Sequence, residues 1–177
     1  IHGGGKAKTR AAVHYVILNL VGSALFLFAL ALIYGASGTL NMLDLGTKVA
    51  TLSDTQLQLL QAAVALLLVV FGLKAAVMPL HFWLGNAYSS ASPAVAALFA
   101  IMTKVGIYAI LRVNGTVFDD AMAQNIFKNC LMVIGLITSF YGVIGALGAD
   151  RLRRFVGFMV LSSIGTLLIA IAMFNTE

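Results

Sequence analysis

The chain has 177 residues, of which 61% are hydrophobic and only 10% are charged. A soluble domain carries about 25% charged residues, so a soluble enzyme, a disordered tail and a nucleic-acid-binding domain are excluded as leading interpretations. The net charge of +5 comes from Lys and Arg residues that are spread along the chain without a basic stripe. In a membrane protein, such charges usually set the orientation.

Charged residues interrupt the apolar sequence at about the interval of a membrane-spanning helix, which needs about 20 mostly apolar residues. The apolar runs are too long for strands and lack the alternation of a membrane β-barrel. The sequence therefore predicts an all-α, polytopic transmembrane helix bundle that forms a single membrane domain. Its five helices are expected at about residues 11–35, 57–84, 93–113, 129–149 and 155–174.

The basic residues between these helices predict an orientation. Residues 1–10 and residues 149–154 lie on one side and carry three Lys or Arg each, whereas the loops of the other side carry two, or three with Arg112. The positive-inside rule places residues 1–10 and 149–154 in the cytoplasm. The chain begins with Ile1 and ends directly after an apolar run, so we expect it to be an internal piece of a longer membrane protein.

The second predicted helix contains a charge and a break. Lys74 follows Leu57 by 17 residues, roughly 25 Å along a helix, where an ionisable group costs about 2.5–3.5 kcal/mol and has to face protein or water. Pro79 removes one helical hydrogen bond, and with Gly72 upstream it predicts a broken helix of the kind that transporters use at ion sites. A snorkelling lysine and an ordinary proline kink are the alternatives.

Two further ionisable residues fit a proton path. Lys104 lies 11 residues after Pro93, and two deep lysines on consecutive helices are hard to explain as membrane anchors. His81 follows Lys74 by seven residues, which places both on one face of a continuous helix, and histidine titrates near neutral pH. Lys74, Lys104 and His81 therefore predict a water-joined proton wire. An interfacial or hydrogen-bonded structural histidine is the alternative for His81.

Other residues predict packing rather than chemistry. Trp83 and Tyr88 are expected to be aromatic residues of the membrane interface, and Cys130 a small buried thiol. No Cys/His cluster has the spacing of a zinc site. Small residues recur at a spacing that favours close helix–helix contact: Gly135, Gly142, Gly145 and Gly148.

The segment around the two lysines resembles a known family. It reads Lys74-Ala-Ala-Val-Met-Pro-Leu-His-Phe-Trp-Leu-Gly, followed by Ala91-Ser-Pro, then Thr103-Lys-Val-Gly-Ile-Tyr and Arg112. These motifs are similar to those of the antiporter-like membrane subunits shared by Mrp-type cation/proton antiporters and respiratory complex I. The run Asp150-Arg-Leu-Arg-Arg resembles the cytoplasmic Asp-x-x-Arg loop of that family, with Asp150, Arg153 and Arg154 as its motif residues. The resemblance covers essentially the whole chain, and the run Gly38-Thr-Leu-Asn favours the D subunit of the Mrp type.

The resemblance implies roles for individual residues. Lys74 corresponds to the central lysine of the broken helix, Lys104 to the next lysine of the proton path, and His81 to the histidine of the Pro-x-His motif. The family couples the central lysine to a glutamate on the preceding helix, which is expected to lie before Ile1. The chain would then hold the end of one inverted repeat and the start of the next. Gly85 replaces the family's usual proline.

The resemblance thus implies a proton-translocating membrane subunit of a multisubunit Na+ or K+/proton antiporter in the bacterial inner membrane. Its expected partners are the other antiporter subunits, the lipid bilayer, protons and a monovalent cation. No catalytic residue, metal site, cofactor or nucleic acid is expected. One alternative is a proton-pumping subunit of NADH:quinone oxidoreductase or of a related membrane hydrogenase. Another is a subunit that only scaffolds its partners.

Overall fold

The protein is all-helical, as the sequence predicts. The computed structural model describes residues 5–117 and 121–174, and every regular element in these ranges is an α-helix. The helices are α1 (Lys6–Ser37), α2 (Met42–Val49), α3 (Asp54–Ala75), α4 (Phe82–Ser90), α5 (Pro93–Val117), α6 (Ala121–Leu147) and α7 (Leu152–Phe174). Among the described residues, five segments are long and apolar enough to span a membrane: Ala12–Ser37, Asp54–Ala75, Pro93–Val113, Lys128–Leu147 and Leu152–Met173. The chain is therefore a multi-pass membrane protein.

Helix α2 is a short element that the sequence analysis did not anticipate. It begins where the Asn41 side chain accepts a hydrogen bond from the backbone N–H of Leu43 at 3.1 Å. Asp44 in its first turn and Lys48 in its last turn suit the helix dipole and form an exposed ion pair at 3.1 Å. Leu45 points inward and is buried, so α2 lies between the first two spans as an amphipathic helix.

The segment expected as one helix at 57–84 is divided into α3 and α4. Ser53 and Gln56 form a capping box that begins α3. The helix ends at a Schellman-type turn, in which Ala76 has a left-handed φ of 59° and the N–H of Val77 donates to the Gly72 carbonyl at 2.9 Å. The predicted break contains Pro79 but begins at Ala76, and Gly72 belongs to the last turn of α3.

This break lies well inside the membrane spans. A Cβ atom built on Gly106 would lie 2.8 Å from the backbone nitrogen of Ala75, so the end of α3 abuts α5 roughly 20 Å beyond Pro93. The N–H of Met78 donates to Oγ1 of Thr138 at 3.2 Å, roughly 14 Å from the α6 end at Leu147. Lys74 therefore occupies the end of its helix but not the edge of the membrane.

Helices α6 and α7 pack in direct backbone contact. A Cβ atom on Gly142 would lie 2.5 Å from the Ser162 nitrogen, and one on Gly165 would lie 2.6 Å from the Gly135 carbonyl oxygen. A Cβ atom on Gly145 would run into the Phe158 ring. The predicted packing role is therefore confirmed for Gly135, Gly142 and Gly145. Gly148 has only an ordinary van der Waals contact, with Ile144.

Three packing predictions from the sequence are wrong. Trp83 and Tyr88 are not interface residues, since their exposed fractions are only 6% and 4%. Helix α4 packs against α1 and α7, which brings these aromatic side chains into the core, where Phe99 contacts both rings. Cys130 is exposed on α6 rather than buried.

Candidate functional site

Lys74 reaches from the last turn of α3 to helix α1. Its Nζ donates a hydrogen bond to Oδ1 of Asn19, a residue 55 positions earlier in the chain. A cavity of about 20 Å³ adjoins the two side chains and has room for about one water molecule. Its lining consists of Tyr15, Leu18, Asn19, Leu73, Lys74, Trp83 and Met102.

Aromatic side chains form one wall of the Lys74 site. The rings of Tyr15 and Trp83 lie 5.5 Å apart, and both contact Phe99, at 5.1 and 6.0 Å. The indole N–H of Trp83 donates to the Leu73 carbonyl at 2.9 Å, an acceptor that also receives the backbone N–H of Ala76 at 3.2 Å. This apolar wall limits water around Lys74 and strengthens the electrostatic interactions of its charge.

Lys104 has its own partner on a different helix. Its Nζ lies 2.6 Å from Oγ of Ser163 in α7. The Ser163 hydroxyl donates to the Val160 carbonyl at 2.9 Å, so the lone pairs of its oxygen remain free to accept from the lysine. Ser163 thus orients Lys104 between α5 and α7.

His81 lies in the break, directly before α4. Its ring makes an edge contact with Tyr141 at 4.6 Å and lies 4.9 Å from Phe82. Among the described residues, its buried Nδ1 has no hydrogen-bond partner. His81 also lines an open cleft of about 310 Å³ beside Arg153 and Arg154. A titratable ring that lines an open cleft can exchange protons with that cleft.

The structure places the three predicted proton-transfer residues in three separate contacts. Lys74 joins α3 to α1, Lys104 joins α5 to α7, and His81 joins the break to α6. A wire that links them through water stays a prediction. Sequence reasoning did not single out Asn19 or Thr138. The signal available for both was a polar residue inside a charge-free apolar run.

The predicted loop motif lies at the start of α7. Asp150, Arg153 and Arg154 are exposed, and Nη1 of Arg153 donates to the Ala91 carbonyl at 3.4 Å. This bond connects the first turn of α7 to the segment between α4 and α5. Within residues 5–117 and 121–174, no group of three or more His, Cys, Asp or Glu residues could hold a metal ion.

Comparison with known proteins identifies the family. A family described as NADH:quinone oxidoreductase/Mrp antiporter, transmembrane, matches residues 2–177. The chain belongs to this family. The predicted resemblance is thereby confirmed.

Curated members of this antiporter family include close relatives. The chain is 44% identical over 175 residues to the D subunit of a probable K+/H+ antiporter of Rhizobium meliloti, and the match covers 98% of the chain and 32% of the relative. It is 37% identical over 172 residues to the D subunit of the Na+/H+ antiporter of Bacillus subtilis, covering 96% of the chain and 34% of the relative. The chain thus spans about a third of the length of these relatives.

Two solved structures share the fold. A chain of the Mrp complex from Dietzia sp. DQ12-45-1b matches with a TM-score of 0.84 and 35% identity, over 96% of this chain and 30% of that one. A chain of the membrane-bound sulfane sulfur reductase, an archaeal respiratory membrane complex, matches with a TM-score of 0.83 and 26% identity. This second match covers 97% of the chain and 34% of the solved one.

Proposed function

We propose that this chain is part of a proton-translocating membrane subunit of a multisubunit monovalent cation/proton antiporter. The observation that carries the proposal is Lys74, an ionisable residue that lies beside a helix break well inside the membrane spans. An ionisable residue at such a depth is a functional-site hypothesis by default, and broken helices form the ion sites of transporters. Relatives named as D subunits of K+/H+ and Na+/H+ antiporters support this class of transport.

In the proposed mechanism, Lys74 and Lys104 carry the proton in turn. Lys74 binds a proton and is stabilised by a charge partner outside this chain. When that partner moves away, the ammonium loses stabilisation and passes its proton through water towards Lys104, whose Nζ lies 2.6 Å from the Ser163 hydroxyl. His81 exchanges protons with the cleft beside Arg153 and Arg154. These steps break and form only bonds to hydrogen, so the proposed subunit is a transporter and not an enzyme.

The proposed setting is the bacterial inner membrane, with residues 1–10 and 149–154 on the cytoplasmic side. Three arginines around the start of α7 support this orientation through the positive-inside rule. The proposed partners are the other subunits of the antiporter complex, since the similar chain from Dietzia belongs to an Mrp complex.

The test uses the full-length complex in inside-out vesicles with a preformed pH gradient. In the wild-type complex, added Na+ or K+ should collapse the gradient, and Lys74→Ala should abolish this collapse while the complex still assembles, as judged by immunoblot. Lys48→Ala is the matched control, because Lys48 is an exposed lysine of α2. The Lys48→Ala complex should transport like the wild type. An assembled Lys74→Ala complex with wild-type transport would refute the assignment of Lys74.

A second candidate is a proton-pumping subunit of a respiratory enzyme. It is favoured by the structural match to the sulfane sulfur reductase complex. It is also favoured by the family description, which names NADH:quinone oxidoreductase beside the Mrp antiporter. In that case neither Na+ nor K+ collapses the gradient, and proton movement depends on NADH or another electron donor.

A further inference from the structure

We propose that Asn19 is the positioning residue of Lys74: its side-chain amide holds the protonated lysine on the α1 side of the broken helix. The proposal rests on the function proposed above and adds a residue to its proton path. It would explain why a polar side chain interrupts the charge-free apolar run that becomes helix α1.

The chemistry of the contact fixes the orientation of the Asn19 amide. A lysine ammonium has three donors and no acceptor, so the amide must present its oxygen, and Oδ1 is the acceptor in the structure. The backbone carbonyl of Asn19 accepts separately from the Ser23 hydroxyl at 2.9 Å. The side-chain amide is therefore free to serve Lys74, while Ser23 serves only the backbone of α1.

The contact favours one charge state of Lys74. A hydrogen bond from an ionised donor is roughly twice as strong as one between neutral groups, so the amide oxygen stabilises the ammonium more than the neutral amine. Among the described residues, no carboxylate forms an ion pair with Lys74. A neutral acceptor holds the charged lysine without binding it as firmly as a carboxylate would, which leaves the proton transferable.

The site also has the space and the walls that a positioning contact needs. The cavity beside Asn19 and Lys74 has room for about one water. Tyr15 and Trp83 line it, and their tilted rings contact each other with centroids 5.5 Å apart. These rings limit the positions open to the lysine, so the amide oxygen sets where the ammonium rests before the proton leaves.

The test compares two substitutions with opposite electrostatic effects. Asn19→Leu removes the acceptor and Asn19→Asp supplies a carboxylate of nearly the same size. Both are made in the full-length complex, and cation-driven collapse of the pH gradient is measured from pH 6 to 10. The pH at which transport falls to half on the alkaline side should drop by about one unit in Asn19→Leu and rise by about one unit in Asn19→Asp, since one unit corresponds to a tenfold change in proton affinity.

The controls separate this proposal from the proposed function. Ser23→Ala removes a neighbouring hydroxyl that does not bond Lys74, and its profile should match the wild type. If Lys74→Ala abolishes transport but both Asn19 variants keep the wild-type profile, only the role of Asn19 is overturned. Shifts of the same sign in both variants, or lower transport with an unchanged pH profile, also overturn the role of Asn19.

If Asn19→Leu does not assemble, the near-isosteric Asn19→Asp provides the test. Its pH profile should shift to the alkaline side, and an unshifted profile would overturn the role of Asn19. If Lys74→Ala transports normally, the proposed function falls first.

Discussion

The α6–α7 pair and the α3–α4 segment occupy similar depths but are built in opposite ways. Helices α6 and α7 are continuous, and Gly142 and Gly165 let their backbones touch. Helices α3 and α4 are separated by a break of six residues, 76–81, and the Thr138 side chain of α6 accepts a hydrogen bond from the Met78 N–H within it.

The difference shows what each region requires from its neighbours. In a membrane, close packing of small residues is a main force that joins two intact helices, so α6 and α7 need little besides their glycines. A broken helix exposes backbone polar groups that lipid cannot satisfy. Thr138 of α6 satisfies one of them, the Met78 N–H, so α6 supports the break.

The largest expected effect comes from adding volume to the α6–α7 contact. In Gly165→Ala the new methyl group would lie 2.6 Å from the Gly135 carbonyl oxygen, and backbone atoms cannot rotate away. We expect the free energy of unfolding to fall by about 3 kcal/mol, measured by SDS-induced unfolding of the full-length subunit in micelles. Gly35→Ala in α1 is the control, because no atom lies within 4 Å of its added Cβ. Equal free energies of unfolding for the two variants would show that α6 and α7 can move apart to make room for the methyl group without a loss of stability.

A smaller effect is expected when the support of the break is removed. Thr138→Val keeps the shape of a fully buried side chain but leaves the Met78 N–H without its acceptor, which should cost about 1–3 kcal/mol. Thr138→Ser restores the hydroxyl and should recover most of this loss. The same unfolding measurement applies, with transport assayed in parallel.

Thr166→Val is the control for Thr138, because Thr166 is exposed and, among the described residues, its hydroxyl bonds within its own helix, to the Ser163 carbonyl. If Thr138→Val is as stable as Thr166→Val, the break does not depend on α6.

The sequence predicted the spans well and the contacts between them poorly. Long apolar runs with few charges are sufficient to predict five helices, and Pro79 is sufficient to predict a break. The start of the break at Ala76 depends instead on the packing of Ala75 against Gly106, which no local pattern encodes. The Lys74–Asn19 and Lys104–Ser163 contacts join residues more than 50 positions apart. Trp83 was misassigned because its burial depends on where α4 packs.

The smallest effect is expected at the Asp44–Lys48 pair of α2. Hydrogen bonds from Thr39 and then Lys48 lower the pKa of Asp44 below its ordinary value of 3.8. A carboxylate whose pKa is lower in the folded protein stabilises the fold at pH values above its unfolded-state pKa. This stability is lost only as the pH falls through the folded-state pKa. The exposed pair is also screened by salt. Asp44→Asn should therefore leave transport unchanged between pH 6 and 9, and a change larger than that of Thr138→Val would show that α2 takes part in transport.

The Schellman turn at Ala76 has an electrostatic consequence for the whole site. When a helix ends inside the membrane, the end of its macrodipole also lies there. The C-terminal end carries the equivalent of about half a negative elementary charge. Lys74 lies in the last turn of α3, where this field favours a positive charge. The N-terminal end of α4 begins at Phe82, next to His81, and its field has the opposite sign. The break thus places two backbone fields within a few residues of each other. The end of α3 attracts positive charge, and the start of α4 repels it.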